Sequence, residues 1–135
     1  MLLGNNEIME KSLLLEIQRL AEKMEDSSDG IYVVDTERKI LYWNKSAERI
    51  TGYTKEEMIG VHCFNEKLSH HDMNGNSLCR GLCPLVKTIF DEQVRVHEVT
   101  FLHKDGSRRP CTVETHPIKS GAIVIGAYEI FKIVE

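Results

Sequence analysis

Thiol and imidazole side chains, the usual ligands of zinc and of iron–sulfur clusters, are concentrated in one segment of this chain. The stretch HCFNEKLSHHDMNGNSLCRGLCPL, residues 62–85, contains three of the four cysteines and three of the six histidines. The four candidate metal ligands in it are Cys63, His70, Cys79 and Cys83. Three thiolates and one imidazole make a closed tetrahedral set for zinc. The same thiolates could instead bind an iron–sulfur cluster, with His70 or Cys111 as the fourth ligand.

Two other interpretations of the same cysteines stay open. Pro84 suits the first position of a helix, which makes Cys83 the residue that caps that helix. A helix N-terminus lowers the pKa of a thiol, so Cys83 could be a redox-sensing thiolate with Cys79 as its resolving partner. Alternatively, the cysteines are buried as small apolar side chains, which is what we expect for Cys111.

The composition excludes several classes of protein. The 135 residues suit a single domain, and 41% hydrophobic with 28% charged residues is typical of a globular protein. A net charge of −4 argues against nucleic acid as a partner, because phosphate binding needs a concentrated basic face. The apolar runs are too short to span a membrane, and no signal peptide is recognisable. We therefore expect a cytoplasmic protein whose cysteines are kept reduced.

The elements that must position these side chains follow from the hydrophobic periodicity. Residues 10–25 predict an amphipathic helix, whose apolar stripe consists of Leu13, Ile17, Leu20 and Met24. Two strands, IYVVD and KILYWN, predict a hairpin, and Asn44 and Thr54 are candidate N-caps of two short helices after it. The helix that begins at Pro84 has four apolar residues on one face, which are Leu85, Val86, Ile89 and Phe90. Three antiparallel strands complete an α+β fold.

The order of these pieces resembles that of a PAS domain from residue 28 onward. The resemblance is carried by DGIYVVDTERKILYWNKSAERITGYTKEEMIG, by the LxHxD motif at Leu68, His70 and Asp72, by HKDGSRRP and by GAIVIGAYEI. It implies a five-stranded antiparallel sheet with short helices on one face, a sensory role and no catalytic activity. We therefore divide the chain into an N-terminal helix, residues 1–27, and a PAS domain, residues 28–135.

The pattern around the cysteines is similar to that of a subgroup of bacterial PAS domains found ahead of diguanylate cyclase modules. It falls on Cys63, Leu68, His70, Asp72, Gly75, Leu78, Cys79, Cys83, Pro84 and Leu85. The resemblance implies regulation of an attached or separate output module, of the histidine kinase (two-component) or diguanylate cyclase (cyclic-di-GMP) type. It also favours a homodimer that uses the Leu13–Met24 stripe over packing of that stripe on its own domain, because PAS domains commonly dimerise through the helix that leads into the fold.

The resemblance brings two further cofactors into consideration. Cys63 stands where light-oxygen-voltage domains carry the cysteine that bonds flavin, but its neighbours depart from their NCRFLQ pattern, which argues against flavin. Haem could use His70, His71 or His103, although no feature marks an axial ligand among them. The leading hypothesis is a sensory domain with a zinc or iron–sulfur site. The alternatives are a redox-thiol sensor, a pocket for a small organic metabolite and a ligand-free dimerisation module.

Overall fold

The computed structural model describes residues 5–63, 67–78 and 83–134, and its elements follow the predicted order. They are α1 (Asn5–Met24), β1 (Gly30–Asp35), β2 (Ile40–Trp43), α2 (Lys45–Thr51), α3 (Lys55–Met58), α4 (Pro84–Asp91), β3 (Arg95–Leu102), β4 (Arg108–Ser120) and β5 (Ile123–Ile133). Cys79 lies outside the described residues. Within the described ranges, no helix combines the length and the apolar character needed to cross a bilayer.

The strands form one five-stranded antiparallel sheet in the order β2-β1-β5-β4-β3. This confirms the predicted α+β fold. The first and last strands of the chain are neighbours, and Gly30 in β1 pairs with Phe131 in β5. Both faces of β1 are buried, because successive side chains of a strand point to opposite faces of the sheet. The sheet therefore separates two apolar layers.

The larger layer lies under the short helices. Four aromatic side chains form its centre, with neighbouring ring centroids 5.6 to 6.5 Å apart, and they are Tyr32, Trp43, Phe101 and Phe131. The buried cysteines Cys63, Cys83 and Cys111 belong to the same layer. Aromatic pairs at these separations add to the stability gained from burial of their surface. The cysteine segment therefore borders the main core of the domain.

Helix α1 covers the opposite face of the sheet. Its residues Leu13 and Leu20 are buried against the outward-facing side chains of β1, β4 and β5, among them Ile31 and Ile118. The helix approaches closely at Gly126, where a Cβ would lie 3.2 Å from Leu13 Cδ1 and 2.4 Å from a backbone oxygen. The predicted apolar stripe thus packs on its own domain. Three apolar residues of α1 remain exposed, which are Ile8, Leu14 and Leu15.

Helix α4 departs from the prediction at one residue. Leu85 is buried, and Val86 and Ile89 are partly buried against the main core, but Phe90 is 89% exposed. Each helical residue advances by about 100°, so Phe90 lies roughly 140° around the helix from Leu85. The buried face of α4 is therefore narrower than the apolar sequence pattern indicates.

One buried side chain ties the two layers together. Asn44 caps α2, as predicted, and its Oδ1 accepts hydrogen bonds from the backbone N–H of Ala47 (2.9 Å) and of Ile31 (3.0 Å). Its Nδ2 donates to the carbonyl oxygens of Met24 (2.7 Å) and Asp29 (3.0 Å). The amide thus joins the end of α1, the start of β1 and the start of α2.

We expect Asn44→Ala to lower the free energy of unfolding by about 2–4 kcal/mol, because two buried and two partly buried backbone groups lose their partner at once. The matched control is Thr54→Ala, which removes the exposed capping box of α3 and should cost about 1 kcal/mol. Urea unfolding of both variants measures the difference. Equal losses would show that Asn44 acts only as a helix cap.

Candidate functional site

The backbone around His70 runs beside β3 and is hydrogen-bonded to it. The N–H of His71 donates to the Thr100 carbonyl (2.9 Å), and the N–H of Thr100 donates back to His71 (2.8 Å). The Leu102 N–H donates to the Leu68 carbonyl (2.8 Å). Leu68 is buried in the main core, and the side chain of His70 is only 13% exposed. Ser69 between them has a left-handed φ of 42°, so the backbone bends here and is not an extended strand.

Side chains from the loop and from β4 hold this segment in place. The Arg108 guanidinium donates to the Ser69 carbonyl oxygen, to Ser69 Oγ (2.9 Å) and to Nε2 of His71 (3.1 Å). Asp72 accepts from the backbone N–H groups of Asn74 and Asn76, both at 2.9 Å, and these bonds lower its pKa. Asp72 is therefore the turn-forming residue of the LxHxD motif, as its sequence position indicates.

A second titratable group, Glu129 of β5, meets His70 inside the core. His70 Nε2 lies 3.7 Å from Glu129 Oε2, and the two side chains are 13% and 5% exposed. Glu129 Oε2 is buried and makes no hydrogen bond. A separation of 3.7 Å is too long for a hydrogen bond. The pair is therefore a close contact between two polar groups, one of which leaves an acceptor unsatisfied.

Burial favours the neutral form of both groups. Desolvation raises the pKa of Glu129 to about 7, although a hydrogen bond with Tyr32 opposes the shift. Desolvation lowers the pKa of His70 to about 4, and the nearby charges of Arg108 and His71 lower it further. At pH 6 the contact therefore joins a protonated carboxyl group to a neutral imidazole. It becomes an ion pair only if a proton moves from Glu129 to His70.

Two further titratable side chains border the pair. The pKa of Tyr32 is raised by burial and by the proximity of Glu129, Cys63 and Cys83. Burial, followed by the proximity of Glu129, raises the pKa of Cys111 to about 12, so this cysteine stays a thiol. That agrees with its expected place in the packed core. Tyr32 and Cys111 both keep their protons over the whole range in which Glu129 titrates.

A small cavity lies between these groups. Its lining residues are Tyr32, Thr51, Leu68, His70, Phe101, Cys111, Glu129 and Phe131. The centre of a water molecule has about 10 Å³ available inside it. That space suffices for roughly one water molecule. The site as it stands accommodates only a very small occupant.

The predicted metal ligands do not assemble within the part of the chain that is described. Cys63 and Cys83 are buried in the main core and His70 lines the cavity, but among residues 5–63, 67–78 and 83–134 no three His, Cys, Asp or Glu side chains are close enough together to hold a metal ion. Cys79 lies outside these ranges, so the four-residue set stays a prediction. Of the three haem candidates, His70 alone lines the cavity.

Glu129 is the functional candidate that the sequence patterns missed. Its signal is present in the stretch GAYEIFKI, where Ala127, Glu129 and Phe131 share one face of a strand. A carboxylate on the apolar face of a buried strand is rare, because an ionised carboxylate is costly to bury. Its partner, however, depends on a long-range contact that alternation along one strand cannot reveal.

We expect Glu129→Gln to stabilise the protein relative to the wild type as the pH rises. The folded-state pKa of about 7 lies above the ordinary value of 4.5. The free energy of unfolding of the wild type therefore falls as the pH rises from 4.5 to 7 and stays constant above pH 7. The loss is about 3 kcal/mol, and the variant lacks it. His70, whose pKa is lowered from 6.5 to about 4, makes the protein less stable as the pH falls through this range, and it is present in both proteins. Urea unfolding at pH 5, 6, 7 and 8 measures the difference.

Glu98→Gln is the matched control, since Glu98 lies on β3 with an exposed side chain. Its stability relative to the wild type should change little with pH over this range. A constant difference between Glu129→Gln and the wild type at all four pH values would show that Glu129 is ionised in the folded protein without cost.

Solved structures with the same fold come from several organisms. The PAS domain of a protein from Colwellia psychrerythraea is 24% identical, with a TM-score of 0.70 over 88% of this chain and 97% of that one. The PAS domain of an HTR-like protein from Haloarcula marismortui is 20% identical, with a TM-score of 0.65 over 95% and 99%. The PAS domain of nitrogen regulation protein NR(II) from Vibrio parahaemolyticus is 15% identical, with a TM-score of 0.65 over 84% and 96%.

At these identities the structural likeness establishes the fold. No curated protein sequence is significantly similar to the chain. The sequence pattern of a protein family described as PAS fold matches residues 24–134, which include the whole sheet, the short helices and the cysteine segment. The chain therefore belongs to the PAS-fold family.

Proposed function

We propose that this chain is a sensory domain that receives its signal at the cavity between His70 and Glu129 and regulates an output module without turning over a substrate. PAS domains are sensory modules, which supports the general role. The observation that carries the proposal is the buried Glu129 oxygen without a hydrogen bond, 3.7 Å from His70. A buried carboxyl group with a strongly shifted pKa in a cavity is typical of functional sites.

The position of Glu129 on β5 connects the cavity to the rest of the sheet and to α1. Glu129 lies on β5, which is hydrogen-bonded to β1 and to β4. The side chains next to it in sequence, Tyr128 and Ile130, pack in the layer under α1. A shift of Glu129 therefore moves residues that contact α1, and α1 leads directly into β1. Helix α1 and the sheet are thus coupled to the cavity through a single strand.

The output module and the oligomeric state belong to the same proposal. A histidine kinase or a diguanylate cyclase is the proposed output, and the similarity to the PAS domain of a nitrogen regulation protein supports a regulatory role. We also propose a homodimer that uses α1. Because Leu13 and Leu20 are buried on the sheet, the residues of α1 available to a second copy are the exposed Leu14, Leu15 and Ile8.

The zinc or iron–sulfur site at Cys63, His70, Cys79 and Cys83 is a second candidate for the signal-receiving element. Buried cysteines at two ends of the segment and a neutral His70 imidazole favour it. Among the described residues, no three such side chains lie close enough together to hold a metal ion, which weighs against it. Elemental analysis of the purified chain and of Cys79→Ser/Cys83→Ser distinguishes a metal site from redox thiols. Flavin and haem stay alternatives that the absorption spectrum of the same sample tests.

We expect substitutions in the cavity to change the activity of an output module fused after β5. Glu129→Gln and His70→Gln should each shift the basal activity of a fused diguanylate cyclase or histidine kinase by roughly fivefold or more, which is the lower range of allosteric coupling. The matched controls are Glu98→Gln and His97→Gln, which change the same residue types outside the cavity.

Enzyme assays of the fusions, normalised to folded protein by circular dichroism, measure these shifts. The proposal requires that the cavity variants differ from the wild type while the control variants match it. Cavity variants with wild-type output activity would refute the sensory role of this site.

A further inference from the structure

We propose that the cavity beside Glu129 binds a small protonated amine, with the ammonium ion as the smallest member of the class. This inference rests on the proposed function, in which the cavity receives the signal. It follows from four properties of the cavity: the two acceptors that meet in it, the lack of a cation among its described lining residues, the aromatic rings around it and its size.

Two groups that can accept hydrogen bonds converge in the cavity, namely Oε2 of Glu129 when it is ionised and Nε2 of His70. Glu129 Oε2 makes no hydrogen bond, and Nε2 of His70 lies 3.7 Å from it. A neutral imidazole that keeps the lone pair on Nε2 accepts, and an ionised carboxylate only accepts. An occupant that donates N–H groups to both would satisfy them together. Ammonium and primary ammonium groups carry several such donors and no acceptor.

The described residues that line the cavity offer no positive charge to balance an ionised Glu129. The residues described as lining it include one carboxyl group and no lysine or arginine. Arg108, whose charge lowers the pKa of His70, donates hydrogen bonds to Ser69 and His71 on the loop. A cationic occupant would therefore supply the counter-charge that the described lining residues do not. An anionic occupant would face an uncompensated carboxylate.

Aromatic side chains line the same space. The Tyr32 and Phe131 ring centroids are 6.1 Å apart, and those of Phe101 and Phe131 are 6.5 Å apart. A cation near aromatic faces is attracted by their quadrupole, more strongly where water is excluded. These rings also offer apolar contacts to the alkyl group of an amine.

The size of the cavity narrows the class of ligand. With space for about one water molecule, it suits ammonium as it stands, and a larger amine requires the lining side chains to move. A potassium ion is of similar size, but it prefers oxygen ligands to an imidazole nitrogen. Divalent metals are disfavoured because the described residues offer no group of three ligands. N–H donors therefore distinguish the proposed occupant from an alkali cation.

Binding of a cation must be linked to the release of the Glu129 proton. A cation pairs only with the ionised carboxylate, so affinity should be higher at pH 8 than at pH 6. Three described groups of the cavity keep their charge between pH 6 and 8. His70, with a pKa of about 4, stays neutral, and Cys111, with a pKa of about 12, and Tyr32, with a raised pKa, stay protonated.

The test is an NMR titration of the ¹⁵N-labelled 135-residue chain with ammonium chloride and methylammonium chloride at constant ionic strength, at pH 6, 7 and 8. We expect saturable shifts of the amide signals of residues 68–71 and 127–131. The affinity should be weak, with a Kd of about 0.1 M for ammonium and about 10 mM for methylammonium, because so few ligand atoms limit the binding energy. Potassium chloride and tetramethylammonium chloride are the controls without N–H groups, and neither should produce these shifts.

Glu129→Gln should lose at least tenfold in affinity while it remains folded, since it is expected to be the more stable protein. Glu98→Gln should bind as the wild type does. Equal shifts with potassium, unchanged binding by Glu129→Gln, or shifts confined to surface residues would overturn the proposal. If no amine binds but the fused output responds to cavity variants, the ligand class is wrong and the sensory role stands. If amines bind while the output ignores those variants, the sensory role is wrong.

Discussion

The burial of the Glu129 carboxyl group against His70 is the constraint that gives this domain its chemistry. An ionised carboxylate in a core of aromatic and aliphatic side chains costs several kcal/mol unless it is paired, so the folded protein keeps Glu129 protonated up to about pH 7. The described side chains around this protonated group offer it no cationic partner. Tyr32 gives it one hydrogen bond, and His70 stays neutral at 3.7 Å. A polar site that is only partly satisfied is sensitive to anything that enters the cavity.

The site lies on the face of the sheet opposite to the one that α1 covers. Glu129 faces the main core, and its neighbours Tyr128 and Ile130 face the layer under the helix. The loop that carries His70 is paired to the edge strand β3 and is held by Arg108 from β4. Both partners of the contact therefore belong to elements with hydrogen-bonded neighbours. A change in their separation has to move the loop, the strand or both.

Local signals predicted most of the fold, and long-range contacts account for what they missed. The N-caps Asn44 and Thr54, the turn at Asp72 and the helix start after Cys83 depend on residues a few positions apart, and all are found. The stripe of α1 was also recognised, but a periodic pattern does not say which surface covers it. Glu129 was missed because its importance lies in a contact with a distant loop. The cysteine and histidine set was grouped by proximity in sequence, whereas folding turns His70 toward β5.

The most direct test of this account is the pKa of Glu129 in the folded chain, measured by a ¹³C NMR titration of its carboxyl carbon with the signal assigned by its loss in Glu129→Gln. We expect a midpoint near pH 7 in the protein without added amine. Ammonium should lower this midpoint, since a cation favours the ionised form. A midpoint at or below the ordinary value of 4.5 would show that the carboxylate is already solvated or paired, and would contradict the central claim.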